Sequence, residues 1–311
     1  MEESSVRHLM IAAVAPLAWG TTYLVTAELL PPDRPLLAAT LRALPAGLLL
    51  LVLPRRARVR RLPTGDWWWR SAVLGLANIG LFFPLLFLGA YRLPGGLAST
   101  VQAMSPLVVM VIAWFVLRER AGSRRVVGGV VGAAGVALLV LGGGVEVDGV
   151  GLVGSIGSVV ASGLGFVLIK RWVPPVDLLT LIGWQLVWGG LALVPVALVV
   201  EGPPPALSLT QVAGFVWLGA VGTVLAYACW FTALRHLPAG AVALVGLLNP
   251  VVGTALGVVV VHEVFGWTQA LGSALVLGGV LVGQGLGGRA RPLRTSSGAS
   301  SRSHRPCSSP G

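Results

Sequence analysis

One charge, Arg42, lies well inside an apolar run of this 311-residue chain. A charge at the centre of a membrane helix costs about 3 kcal/mol, so it needs a partner. Two roles suit it. It can attract an anionic group, such as a carboxylate, on a substrate, or it can snorkel to the end of its helix and pair with exposed carbonyls or with Glu28. Uncharged polar and aromatic residues occur in other apolar runs: Trp19, Thr22 and Tyr23; Asn78; Gln102 and Ser105; Trp184 and Gln185; Tyr227 and Trp230; and Asn249. Such groups line substrate-binding cavities or bond one helix to another.

This set suits binding better than catalysis. The four histidines, His8, His236, His262 and His304, fall in loops or tails, with no carboxylate framework beyond Glu263 beside His262. An enzyme would bring His, Asp or Cys together near an interface. Cys229 and Cys307 form no metal-binding spacing. The glycine-rich segments lack the lysine of a phosphate loop. We therefore expect no enzyme activity, no cofactor and no metal. No Asp or Glu lies deep in an apolar run, which argues against a buried carboxylate as a proton carrier.

The elements that position these groups follow from composition. Charged residues make up 11% of the chain, hydrophobic ones 55%, and glycine numbers 43, the profile of an integral membrane protein. The net charge of +11 comes from arginines in short loops between apolar runs, where they set orientation in a bilayer and do not form a nucleic-acid surface. Runs of about 20 apolar residues give ten spans: 9–27, 36–53, 71–89, 94–117, 126–141, 150–169, 178–200, 212–234, 238–261 and 267–286. The first is too long, and lacks the cleavage site, for a signal peptide. With both termini in the cytoplasm, 19 of the 22 basic residues fall on the cytoplasmic side and only Arg34 and Arg92 outside. This asymmetry is the expected one. Trp67, Trp68 and Trp69 precede the third span and suit an interfacial belt.

Positions 93–122 recur at 237–266 without a gap, an offset of 144 that pairs Pro94 with Pro238, Gly96 with Gly240, Pro106 with Pro250 and Glu119 with Glu263. The fold expected is all-α, ten transmembrane helices arranged as two inverted five-helix repeats, because five spans per copy make the second copy enter from the opposite side. The repeats occupy 1–145 and 146–288, and 289–311 reads as a disordered basic cytoplasmic tail. Pro106 and Pro250 are helix breaks. Twelve residues from Pro94 to Pro106 rise about 18 Å, close to the middle of a bilayer core of about 30 Å. Breaks at matching depth in inverted repeats point to a secondary transporter with its substrate site at the midplane. A cavity lined by spans one, three, four, six, eight and nine is expected. Gly128 and Gly132, with Gly279 and Gly283, form small-residue ridges for packing within the chain or for a homodimer.

The WGTTYL run at 19–24, Arg42 followed by LPAG, and the LP-x-G…P…E pattern in both halves resemble the EamA drug/metabolite transporter family over about positions 8 to 287. The stretches from Leu29 and Asn78 are further similar to its pigment-efflux permease branch. The resemblance implies export of small metabolites, often amino acids or related compounds, through a central cavity in the inner or plasma membrane, without ATP. It places Trp19, Arg42, Pro106 and Pro250 on family motif positions. The second half departs from the first, with Gln185 near the place of Arg42 and only a glycine, Gly163, for the WG pair. Uptake of a sugar or nucleotide derivative is the alternative within transport, and a membrane scaffold the alternative outside it.

Overall fold

A computed structural model describes residues 2–52, 62–118, 122–141, 147–237, 242, 245–263 and 265–284. The Arg55–Arg61 loop cluster, Glu119, Arg120, the 142–146 repeat boundary, Pro238, Gly240 and the 289–311 tail lie outside the described residues. Within them the ordered elements are helices. They are α1 (Glu2–Leu29), α2 (Pro35–Val52), α3 (Trp67–Gly75), α4 (Phe82–Arg92), α5 (Gly95–Ala103), α6 (Ser105–Leu117), α7 (Ser123–Leu141), α8 (Gly149–Trp172), α9 (Leu178–Val200), α10 (Leu209–Val216), α11 (Ala226–His236), α12 (Leu248–Val260) and α13 (Trp267–Gln284). A π-helical segment, π1 (Leu76–Leu81), joins α3 to α4, and a second, π2 (Trp217–Leu225), joins α10 to α11.

Seven of the resulting continuous helices are long and apolar enough to cross a membrane, and three shorter apolar ones cover Val126–Leu139, Leu248–Val260 and Trp267–Val282. Large apolar side chains such as Phe115, Phe166 and Val199 stay exposed, as lipid-facing residues must when the solvent is hydrocarbon.

Adding 144 to a residue number exchanges the two halves of the packing. Contacts of α4 with α8 match those of α11 with α1, and contacts of α6 with α8 match those of α12 with α1. Equivalent helices also pair with each other, and glycine permits the approach. A methyl group at Gly47 would lie 2.8 Å from Leu186, and one at Gly190 would lie 2.9 Å from Leu44. Numbers rise on α2 as they fall on α9, so the pair runs antiparallel. A methyl at Gly135 would meet the Gly272 carbonyl at 2.7 Å, and one at Gly279 the Gly128 carbonyl at 2.5 Å. The small-residue ridges of α7 and α13 therefore face each other within the chain, again antiparallel.

Carboxylates tie one copy to the other at the helix ends. Glu263, just past α12, accepts from the Gly95 N–H at 2.7 Å at the start of α5. Glu201, just past α9, accepts from the Leu36 and Leu37 N–H groups at 2.6 and 2.9 Å at the start of α2. Free N–H groups and the helix dipole make these ends favourable for an anion. Residues 118 and 262, equivalent by the same offset, are both left-handed, with φ of 56° and 57°. This backbone turn sets the direction in which Glu263 leaves its helix. Asp148 caps α8 through the Gly151 N–H at 2.7 Å and pairs with Arg92 at 3.4 Å. The Gly151 bond, more than Arg92, holds its carboxyl below the usual range.

These contacts sort the loops onto two faces. One gathers Pro31, Arg34, Arg92, Asp148, Glu201 and Glu263, linked among others by the Tyr91 hydroxyl to the Pro31 carbonyl at 2.8 Å and Arg34 to the Pro203 carbonyl at 3.0 Å. The other gathers His8 stacked on His236, and Trp69 against Trp172. Trp68 and Trp69 stay about half exposed, 47% and 51%, whereas Trp67 is buried against Leu74, Leu181 and Trp184. Only two of the three tryptophans are thus available to a belt.

Candidate functional site

The two proline-marked helices are each in two pieces, and the breaks lie near the centre of the bundle. Met104 separates α5 from α6, and Leu247 precedes α12. Each break falls just ahead of the proline. Pro106 and Pro250 consequently sit in the first turn of the second piece, where a missing N–H costs little. The turn presents Gln102 and Ser105 from one copy and Asn249 from the other to a common space.

That space is a cavity of about 380 Å³, within the range of about 300–1,000 Å³ usual for small-molecule sites. Trp19, Thr22, Tyr23, Arg42, Asn78, Gln102, Ser105, Gln185, Tyr227, Trp230 and Asn249 line it, among Phe82, Leu86, Ser162, Phe166 and Phe231. Trp184 does not. It packs against Trp67, Leu74 and Leu181, because adjacent residues of α9 point to different sides and Gln185 takes the inward one. Beyond the six spans expected, α2 contributes Arg42 and α9 contributes Leu178, Leu181, Ile182 and Gln185. The α7 and α13 pair stands outside.

Arg42 is buried, with 3% exposure. Its guanidinium does not turn to the helix end or to Glu28. Nε donates to the Thr223 hydroxyl at 3.1 Å and Nη2 to the Gly222 carbonyl at 3.1 Å, both in π2. The Phe83 ring covers it, its centroid 4.6 Å away, a cation–π contact strengthened by desolvation. Nη1 is buried without a partner. The Gly222 carbonyl also accepts from Trp19 Nε1 at 3.1 Å. Trp19 packs on Tyr227 and Trp230, with ring centroids 5.8 and 5.3 Å apart, and Tyr227 stacks on Phe231. The result is an aromatic wall beside a fixed cation.

The opposite wall is neutral. Asn78 in π1 donates through Nδ2 to Gln185 Oε1 at 2.7 Å, while its Oδ1 is buried without a partner. Its amide lies flat on Gly165, where a methyl group would collide with it. Gln102 donates to the Ser158 hydroxyl. Asn249 Oδ1 is the third buried polar atom of the cavity with no partner. Among the described residues no Asp or Glu lines the cavity, and no group of three His, Cys, Asp or Glu is placed to hold a metal.

The cavity is open at one end. It reaches Ile169, Leu178 and Leu234, within a few residues of the ends of α8, α9 and α11 at the face of His8 and Trp69. Toward the other face it stops at Tyr23, Arg42 and Leu86. Buried Ala90, Leu93 and Leu97 close that end, beneath the Tyr91 and Glu263 bonds.

The π segments and the partners of Arg42 were missed by sequence reasoning. Two glycines in π2, Gly219 and Gly222, and the polar Thr223 are the signals in its apolar run. π-helical turns recur at functional sites, and here both carry the polar contacts of the cavity.

Comparison with known proteins gives the same architecture a lineage. Protein PecM of Dickeya dadantii (strain 3937) is 37% identical over 275 residues, covering 88% of this chain and 91% of its own. A probable amino-acid metabolite efflux pump of Salmonella typhimurium (strain LT2) is 24% identical, covering 88% and 93%. A solved crystal structure, 20% identical, aligns with a TM-score of 0.58 over 89% of this chain and 96% of that one, a likeness of fold. The model of the EamA-like transporter family matches twice, at 7–141 and 149–282, one match for each set of helices described above. The chain is a multi-pass membrane transporter and belongs to the EamA-like transporter family.

Proposed function

We propose that the protein exports small metabolites by alternating access, crossing the inner membrane ten times as two inverted repeats with both termini in the cytoplasm. One observation carries this reading. A cavity built from both copies, at the paired helix breaks, is open to one face and closed to the other. The open face bears Arg7, Arg70, Arg118, Lys170, Arg171 and Arg235, and the basic side of a membrane protein is the cytoplasmic one. The state is therefore inward-facing, ready to load from the cytoplasm. Antiparallel pairing of α2 with α9 and of α7 with α13 supports the inversion. The lining residues of both repeats form the substrate site, and Pro106 and Pro250 keep the breaks in place. The names of the relatives, an amino-acid metabolite efflux pump among them, favour export of amino acids or related compounds.

Release of the cargo requires the Glu263 and Tyr91 end to open while Ile169, Leu178 and Leu234 close together. Purified protein in liposomes tests this. Counterflow of at least one compound from a panel of amino acids and related metabolites is expected, and counterflow of none removes the proposal.

A further inference from the structure

We propose that Glu263 latches the outer gate: its carboxylate, docked on the start of α5, holds α5 against α12, and the unloaded protein rests closed to the outside. The inference rests on the transport reading for the alternation of gates and adds a positioning residue that governs one of them. Buried Leu93 and Leu97 close the outer end of the cavity, and they flank the first residues of α5. Separation of α5 from α12 therefore withdraws the plug.

The crossing of these two helices is built from small residues. A methyl group at Gly253 would lie 2.7 Å from Ser99 Oγ and 2.8 Å from its Cβ, and one at Gly96 would lie 3.2 Å from Thr254 Oγ1. Ser99 is fully buried, so it has little room to yield. The carboxylate completes the contact. Glu263 Oε1 accepts from the Gly95 N–H at 2.7 Å and Oε2 from the Gly96 N–H at 3.4 Å, while α5 has no side-chain cap of its own. Orphan N–H groups at the positive end of a helix bind a charged acceptor more strongly than a neutral one. Gly257 makes space for the latch: a methyl there would overlap the carboxylate, and the three nearest atoms to it all belong to Glu263. Hollows of about 30 and 40 Å³ adjoin Glu263, each with space for a water molecule. The carboxylate can thus leave Gly95 without becoming a dry, unpaired charge.

The other copy is built differently. Under the offset of 144, Gly253, Thr254 and Gly257 correspond to Val109, Met110 and Ala113 of α6. All three are larger, and close approach of helices in a membrane depends on small residues. A crossing this tight belongs to the outer end, which biases the empty protein toward the state open to the cytoplasm.

Sided labelling of the full chain in membrane vesicles tests the latch. With Cys229→Ala and Cys307→Ser removing the native thiols, Leu86→Cys places one thiol at the closed end of the cavity, and a small charged thiol reagent that does not cross the bilayer is applied from either face. This parent should label at least about tenfold faster from the cytoplasmic face. Glu263→Ala should raise labelling from outside about tenfold, equal to about 1.4 kcal/mol, near the low end for a hydrogen bond to a charged group because the carboxylate is partly exposed. Labelling from the cytoplasmic face should not rise, whereas a misfolded chain labels faster from both faces. Gly257→Ala removes no polar group yet should raise outside labelling about fivefold by displacing the carboxylate, and in the Glu263→Ala background it should add less than about twofold. Gly253→Ala should act like Glu263→Ala. Glu201→Ala removes a carboxylate from the start of α2 at the same face and should leave the sidedness unchanged. Faster labelling of the parent from outside, no rise from outside in both Glu263→Ala and Gly253→Ala, a rise from both faces alike, or an equal shift from Glu201→Ala overturns the inference. Sided shifts without counterflow of any metabolite sink the transport reading alone, and counterflow with unchanged sidedness in these variants sinks the latch alone.

Discussion

Arg42 of α2 bonds to Gly222 and Thr223 in π2, and Gln185 of α9 bonds to Asn78 in π1. Residues 78 and 222 are equivalent under the offset of 144, and Gln185 lies one residue from the counterpart of Arg42. Each copy therefore lends a side chain from its second helix to the π segment of the other copy's third. The geometry is shared and the chemistry is not. One junction holds a cation and uses a backbone carbonyl; the other is a pair of neutral amides. Duplication supplied the frame, and divergence within the frame gave the cavity a charged wall and a neutral one. A symmetric cavity would present the same groups on its two walls, whereas this one does not.

Removing the charge should disturb this arrangement most. Arg42→Ala is expected to lower counterflow about thirtyfold or more, corresponding to about 2 kcal/mol for a lost charged hydrogen bond, while the protein still reaches the membrane. If transport survives intact, the charged wall has no role in binding. Gly165→Ala attacks the neutral wall by driving a methyl group into Asn78. Overpacking of this kind costs about 1–3 kcal/mol and should appear as a lower melting temperature in detergent together with weaker transport. Gln185→Leu unpairs Asn78 Nδ2 and should cost only about 0.6 kcal/mol, the mean for hydrogen bonds between membrane helices. Gly222→Ala is the control. The nearest atoms to a methyl there are Arg42 Nη2 and the Trp217 carbonyl oxygen, both at 3.8 Å, ordinary contacts, so melting temperature and counterflow should stay near those of the parent. A large loss would mean that the carbonyl of residue 222 depends on glycine.

Much of this was legible because membrane sequences declare their spans through hydrophobicity and their copies through repeated prolines. The Pro94 to Glu263 pattern located both breaks within three residues, and the isolated charge singled out Arg42. Facing was harder to read. In α9, where nearly every residue is apolar, no stripe shows which way Trp184 and Gln185 point, and only the closeness of α2 at Gly183 and Gly190 fixes it. The π segments were illegible for a related reason. They shift a helix by one residue within uniform hydrophobicity, and one of the two atoms that receive Arg42 is the carbonyl of a glycine, which has no side chain to advertise it. The recurrence of glutamate at 119 and 263 was visible, but the partner of Glu263 lies in the other copy.

That partner sets a timetable for synthesis. The first N–H groups of α5 emerge with no side-chain cap of their own, and the carboxylate that receives Gly95 is 168 residues further along the chain. At about 5–20 residues per second on the ribosome, α5 waits roughly 10 to 30 s for its anion. During that interval the first repeat is in the bilayer with a helix start that only water, lipid headgroups or the insertion machinery can serve. Completion of the amino-terminal half is thus an event of the last stage of translation.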